Sequence, residues 1–162
     1  MSGPSDDHDA GGAGTFGVDE ARALAAAAHA GQLDKGGHPY LGHVERVAEA
    51  VAPHGAHAVM AALLHDVVED CGLGLADLEA KGVPVEVVSA VDALTKRAGE
   101  PYLDAVRRAA RHPLAAVVKR ADNAHNADEL RLARLDAAEA ERLGQKYRRA
   151  RAVLDAERVE TE

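Results

Sequence analysis

The chain has 162 residues, a single cysteine (Cys71), no tryptophan and a formal net charge of −8 at pH 7. Its length is typical of one domain with a sizeable core, and its acidity argues against binding to nucleic-acid polymers, because such surfaces need an excess of basic residues. One cysteine excludes an internal disulfide and a thiolate metal cage and suits a cytoplasmic location. No apolar run approaches the length of a membrane span, so we expect no membrane partner.

The N-terminal residues lack the basic and apolar regions of a signal peptide. Their composition predicts a disordered tail over residues 1–17, followed by one domain over 18–157 and a short tail over 158–162. From Val18 onward nearly every segment has helical periodicity, and no run alternates with period two. A core of Leu, Val and Ala with few aromatic residues favours packed helices. We therefore predict a compact all-α domain of about seven or eight helices.

Glycine and proline mark the boundaries of these helices. A Gly- and Pro-rich loop over residues 31–42 separates the first two, and Pro84 and Pro113 each suit the start of a helix. The predicted helices are 20–31, 43–52, 56–70, 75–82, 84–96, 100–112, 113–130 and about 136–154.

The third of these segments ends in AALLHDVVED, residues 61–70, in which one imidazole and three carboxylates follow an apolar run. On a continuous helix with about 100° per residue, His65, Asp66, Glu69 and Asp70 share one arc opposite an apolar face. Three acids alone would most often form a solvated face. The adjacent His65-Asp66 pair favours a divalent cation instead, because an imidazole nitrogen and a carboxylate oxygen can bind one ion and the ion compensates the clustered charge.

Two ligands do not complete such a site, so we expect others elsewhere in the chain. His43 opens a helix directly after a loop, where its side chain can point into a cleft. Asp122 ends an apolar run, where an unpaired carboxylate would be costly, and Asn126 lies one turn further on the same face. His125 is a rival ligand to Asp122. Two imidazoles and two carboxylates suit manganese, iron or another first-row divalent ion.

The segments GHVERVAEAV, AALLHDVVED and VVKRADNAHNADEL together resemble the H…HD…D pattern of HD-domain metal-dependent phosphohydrolases. AAHAGQLDKGGHPYLGH, HDVVED, DALTK and VKRADNAHN are similar to the hydrolase domain of RelA/SpoT proteins, and the length is similar to that of the small alarmone hydrolases, which include the metazoan SpoT homologue. The resemblance covers residues 21–147. It implies an enzyme that removes the 3′-diphosphate of (p)ppGpp with a bound Mn²⁺ ion.

The resemblance also implies roles for individual residues. The positions that match metal ligands are His43, His65, Asp66 and Asp122. The positions that match the acidic pair, which positions water and handles protons, are Glu69 and Asp70. The positions that match the substrate side are Lys35, Lys96, Asn126 and Tyr147. For the two lysines and the tyrosine, a solvated or packing role is an equally good interpretation.

The chain departs from the family pattern at Asp34, where the family has an arginine associated with gripping the base, and also at Val44 and in the run NAHN. An acid at position 34 predicts weaker binding of guanine but leaves the metal chemistry untouched. Alternatives therefore remain open: a phosphatase or pyrophosphatase for another nucleotide, NADPH included, or a catalytically silent nucleotide-binding protein. A purely structural helical protein leaves the polar arc unexplained. The oligomeric state is open, a homo-oligomer included.

Overall fold

The computed structural model describes residues 14–161, so most of the predicted N-terminal tail, residues 1–13, lies outside the described residues. The ten α-helices of the described part are α1 (Val18–Ala28), α2 (Tyr40–Val51), α3 (Ala56–Leu64), α4 (Val67–Cys71), α5 (Leu75–Ala80), α6 (Val85–Leu94), α7 (Tyr102–Ala110), α8 (Pro113–Asn126), α9 (Glu129–Leu132) and α10 (Ala137–Thr161). A short 3₁₀ turn, Ala52–His54, follows α2. Residues 14–161 contain no strand, only an isolated bridge between Leu33 and Pro39, so the all-α prediction is confirmed.

The central element of the core is α3, which packs against α1, α2, α6 and α8. Its residues from Met60 to Leu64 are all buried, so the C-terminal half of this helix is apolar around its whole circumference. The alanines and valines of the surrounding helices allow close approach. Phe16, which precedes α1, also packs against this core. A smaller cluster of Val106, Ala150 and Leu154 joins α7 to α10. None of the helices within residues 14–161 combines the length and the apolar character needed to cross a membrane.

The predicted continuous helix over residues 56–70 is wrong at its most important point. Helix α3 ends at Leu64 and α4 begins at Val67, so that His65 and Asp66 form the junction. The Nδ1–H of His65 donates to the carbonyl of Ala62, which a continuing helix would use for the amide of Asp66. The side chain thus replaces a backbone bond of the helix. The arc predicted from a continuous helix does not exist, and the four ionisable groups are distributed over the junction and α4.

Two helix ends also differ from the prediction. Helix α2 begins at Tyr40, directly after Pro39, so His43 lies within its first turn rather than at its start. Helix α10 continues to Thr161 instead of ending near residue 154. The side chain of Glu157 pairs with Arg111 at the end of α7, at 3.2 Å, and this contact holds the additional turn against the rest of the domain.

The predicted single helix over residues 113–130 is likewise wrong. Helix α8 ends at Asn126, and the carboxylate of Asp128 accepts hydrogen bonds from the amides of Leu130 and Arg131 to begin a separate helix, α9. This N-cap turns the chain after α8. The turn brings Arg131 back towards α2, which is important for the site described below.

One buried contact holds α7 against the end of α6. The guanidinium of Arg108 donates to the carbonyls of Asp92 (3.2 Å), Ala93 (3.1 Å) and Thr95 (2.8 Å), and it pairs with Glu100 at 2.8 Å. The last carbonyls of a helix have no partner within the helix. Arg108 supplies that partner, and it fixes the loop that carries Lys96.

Replacing Arg108 by Met should therefore lower the free energy of unfolding by about 1–3 kcal/mol, because the carbonyls and Glu100 lose a charged donor. Arg107 is the matched control. It lies on the same helix, is exposed, and within the described part of the chain pairs with Asp104 alone, three residues away. Arg107→Met should change the free energy by less than about 0.5 kcal/mol. Urea unfolding measures both variants, and equal losses would contradict the role given to Arg108.

Candidate metal centre

The structure brings all four predicted metal ligands together from three parts of the chain. Ligand atoms of His43, His65 and Asp66 lie within 4.8 Å of one another. Oδ1 of Asp122 lies 2.9 Å from Nε2 of His43 and 3.4 Å from Nε2 of His65. Helix α2, the junction between α3 and α4, and helix α8 thus converge on one point with two imidazoles and two carboxylates.

His65 is the best evidence that this cluster fits a cation. Its Nδ1 is occupied by the Ala62 carbonyl, and its buried Nε2 has no hydrogen-bond partner of acceptable geometry within residues 14–158. This nitrogen nevertheless lies 2.9 Å from Oδ2 of Asp66. A buried nitrogen that faces two carboxylates without a good hydrogen bond fits a site in which a cation lies between them.

The electrostatics of the cluster agree with this interpretation. Burial opposes protonation of His65, but Asp66 and Asp122 raise its pKa well above the usual value. Burial alone would raise the pKa of Asp122, whereas Lys119, His43 and His65 hold it well below the usual range. The carboxylates therefore keep their negative charge and attract any available positive charge. A divalent ion can take the place of the proton that His65 would otherwise hold.

His125 lies behind His43 and not among the four ligands. Its Nδ1 is 2.7 Å from Nδ1 of His43, the nitrogen opposite the one that faces Asp122. Arg131 Nη1 lies 2.6 Å and 2.7 Å from these two Nδ1 atoms. Burial, His43 and Arg131 lower the pKa of His125 to about 4, which keeps its ring neutral. A neutral ring at this place orients His43 rather than competing with Asp122.

Tyr40 is a component of the site that the sequence analysis missed. Its hydroxyl donates to Oδ2 of Asp66, and its ring centroid lies 5.4 Å from that of His43 and 5.1 Å from that of His29. Burial and the carboxylate of Asp66 raise its pKa, so it remains a donor. Sequence reasoning missed it because residue 40 was predicted to lie in the loop; in the structure Tyr40 begins α2, three residues before His43 on the same helical face.

Glu69 and Asp70 lie on α4, next to the ligand cluster but outside it. Burial and the nearby Asp66 raise the pKa of both carboxyl groups. Asp70 accepts a hydrogen bond of 3.3 Å from Gln32. Both residues are exposed to solvent beside the cluster, and a raised pKa allows a carboxyl group to exchange protons closer to neutral pH.

A cavity of about 250 Å³ adjoins the cluster through Tyr40. It is lined by three of the four predicted substrate-side residues, Lys35, Asn126 and Tyr147. Asn126 also donates to Oδ1 of Asp122 at 3.2 Å, so it connects the cavity to the ligands. The fourth predicted residue, Lys96, does not line this cavity.

Asp34 lines the same cavity, but its carboxylate is already engaged. Oδ1 accepts hydrogen bonds of 2.9 Å from the amides of Gly36 and His38, and Oδ2 lies 3.6 Å from a guanidinium nitrogen of Arg131. Burial raises the pKa of Asp34, but these amides and Arg131 lower it below the usual value overall. The charge of Asp34 is therefore already compensated by Arg131, and the weaker binding of guanine expected from an acid at this position stays a prediction. Arg131, which the sequence analysis did not select, supplies a guanidinium to this cavity.

Comparison with known proteins gives consistent results. The chain matches the HD domain family over residues 21–159. It is 37% identical over 114 residues to the "Probable GTP pyrophosphokinase" of Mycobacterium leprae (strain TN), covering 64% of this chain and 14% of that protein. It is 36% identical over 125 residues to the "GTP pyrophosphokinase" of Streptomyces coelicolor (strain ATCC BAA-471 / A3(2) / M145), covering 70% of this chain and 15% of that one. The chain thus spans about one seventh of the length of these relatives.

The fold has a solved counterpart in a metazoan ortholog of SpoT, a protein that hydrolyzes ppGpp and plays a role in starvation responses. The two structures superpose with a TM-score of 0.60 over 94% of this chain and 99% of the other, at 23% sequence identity. At this identity the likeness establishes the fold alone. Together with the family match over residues 21–159 and the similarity to RelA/SpoT-type relatives, it shows that the chain belongs to the HD-domain family.

Proposed function

We propose that the protein is a metal-dependent phosphohydrolase that removes the 3′-diphosphate of (p)ppGpp or of a closely related nucleotide. The observation that carries this proposal is the convergence of two imidazoles and two carboxylates around the unpartnered Nε2 of His65. Membership of the HD-domain family and the similarity to RelA/SpoT-type proteins support it. The single cysteine suits a cytoplasmic site of action.

We propose that the metal is Mn²⁺. The residues that would hold it are His43, His65, Asp66 and Asp122. Such an ion would neutralise phosphoryl charge and lower the pKa of water. The protein fixes the ligands before the ion arrives: the Ala62 carbonyl orients His65, Tyr40 orients Asp66, and His125 supports His43. Fixed partners of this kind are typical of metal ligands and set their orientation.

Glu69 and Asp70 would handle the protons and direct water to the phosphorus atom. Both stand beside the cluster without belonging to it, and the pKa of each is raised by burial and by Asp66. A carboxyl group in this state can accept a proton from water and return one to the leaving oxygen. A protein that only binds nucleotides would have no need of this pair, so we place catalysis above silent binding.

The nucleoside would occupy the cavity of about 250 Å³ beside Asn126. Tyr147 offers an aromatic face and Arg131 a guanidinium, and both can stack on a base. Lys35 lines the same cavity and is tied to Glu139 at 3.1 Å, which leaves it less available for phosphate than the sequence indicated. Lys96 would act from the side of Glu69, because the positive charge of Lys96 acts to lower the pKa of the Glu69 carboxyl group.

The second candidate is a phosphatase or pyrophosphatase for another nucleotide such as NADPH. The paired Asp34 and Arg131 favour it, because they make the cavity wall different from that of a protein with a free arginine at position 34.

A panel of nucleotides incubated with the purified protein and Mn²⁺ separates the candidates. We expect release of pyrophosphate from ppGpp. Release of orthophosphate from NADPH alone would establish the second candidate, and turnover of no nucleotide would contradict both.

Loss of His65 should remove the metal. His65→Ala takes away a ligand that no neighbour can replace, so we expect neither bound Mn²⁺ nor turnover. His57→Ala is the control, because His57 is exposed on α3, the helix that precedes His65. Elemental analysis after gel filtration measures the ion. Full occupancy in His65→Ala would show that the ligand assignment is wrong.

Loss of the Glu69 carboxylate should affect catalysis and not metal binding. Glu69→Gln keeps the shape of the side chain, and we expect metal content to be unchanged while turnover falls by about two to four powers of ten. Glu79→Gln, an exposed position on α5, is the matched control and should behave like the wild type. Wild-type turnover in Glu69→Gln would make Glu69 an ordinary surface residue.

A further inference from the structure

A second cavity, of about 310 Å³, is basic although the protein as a whole is acidic. The residues that line it are Tyr102, Leu103, Arg142, Gln145, Lys146 and Arg149. Three of them carry a positive charge and none carries a carboxylate. In a chain with a net charge of −8, this lining is not a consequence of average composition.

Two of the three cations lack an acidic partner. Arg142 pairs with Glu139 at 2.7 Å. Lys146 and Arg149 form no ion pair with any acid within residues 14–158. The positive charge of Lys146 and Arg149 is therefore not balanced by an acid of the described residues. A bound anion would balance it.

Lys146 is held in place by an aromatic ring instead of a carboxylate. Its Nζ lies 4.3 Å from the centroid of Tyr102 and 5.9 Å from that of Tyr147. Burial lowers its pKa, as do the neighbouring charges of Lys35 and Lys119. A half-buried ammonium among other cations is unfavourable on its own, and contact with an aromatic face recovers only part of that energy. An anion in the cavity would recover the rest.

The basic cavity connects directly to the metal centre. The ring of Tyr102 also faces Lys119, whose Nζ lies 5.6 Å from the ring centroid and 3.2 Å from Oδ2 of Asp122. A short series of contacts, Asp122–Lys119–Tyr102–Lys146, thus runs from the ligands to the cavity.

We propose that the basic cavity binds a phosphate or diphosphate group other than the one that is cleaved. The proposal rests on the proposed function in one respect: if the group belongs to the substrate, the substrate is a nucleotide that carries phosphoryl groups at two separate positions. The same chemistry would also bind a free phosphoanion that regulates the enzyme. Lys146 and Arg149 are the specificity-determining cations, and Tyr102 positions Lys146.

Binding of inorganic pyrophosphate to the full chain, kept free of metal by a chelator, tests the cavity without any need for turnover. Isothermal calorimetry should detect pyrophosphate binding by the wild type, and Lys146→Met and Arg149→Met should each weaken it by about tenfold or more, since each removes a charged contact. Lys81→Met, an exposed lysine at the end of α5, should leave it unchanged. Thermal unfolding in the wild-type range shows that the variants are folded.

Kinetics on ppGpp then separate the two sources of the anion. A higher KM in Lys146→Met with an unchanged kcat assigns the cavity to the second phosphate of the substrate. An unchanged KM, together with a pyrophosphate effect on the rate that Lys146→Met abolishes, assigns it to a separate anion. If no nucleotide is hydrolysed, the proposed function fails. The pyrophosphate titration still decides whether the basic cavity binds a phosphoanion. Wild-type pyrophosphate affinity in both variants, or no pyrophosphate binding by the wild type, overturns the proposal.

Discussion

The hydrogen bond from the His65 ring to the Ala62 carbonyl is the interaction on which the site depends. It removes the acceptor that the amide of Asp66 would use in a continuous helix, so α3 stops and the chain turns before α4. The same bond fixes the proton of His65 on Nδ1 and directs Nε2 towards Asp66 and Asp122. One contact therefore sets both the backbone break and the orientation of the proposed ligand. The buried C-terminal half of α3 holds this end of the helix at a fixed depth in the core.

Charge balance explains how an acidic protein tolerates this concentration of ionisable groups. The two carboxylates of the centre lie close to positive groups or hydrogen-bond donors: Nζ of Lys119 is 3.2 Å from Asp122, and Asp66 lies 2.9 Å from Nε2 of His65 and accepts from Tyr40. What remains is negative charge at the centre of the cluster and positive charge at its edges, around Lys146 and Arg131. A divalent ion suits the former and phosphates suit the latter.

The sequence predicted those features that depend on neighbouring residues. His65 and Asp66 are adjacent, and Asp122 and Asn126 are one helical turn apart, so their proximity follows from helix geometry. The break at His65 was not predictable in this way, because apolar periodicity continues through it and the competing acceptor is recognised only in three dimensions. Arg131 is 88 residues from His43 and reaches it only because Asp128 starts a new helix.

Pulsed electron paramagnetic resonance of the Mn²⁺-loaded protein tests the central claim most directly, because it detects nitrogen nuclei bound to the ion. The proposed ligand set predicts hyperfine coupling to two histidine nitrogens, those of His43 and His65, and loss of the entire signal of bound Mn²⁺ when His65 alone is replaced. Loss of His125 should retain both couplings, because that ring lies behind His43. A spectrum of manganese surrounded by water alone, with no nitrogen coupling in the folded wild-type protein, would contradict the account.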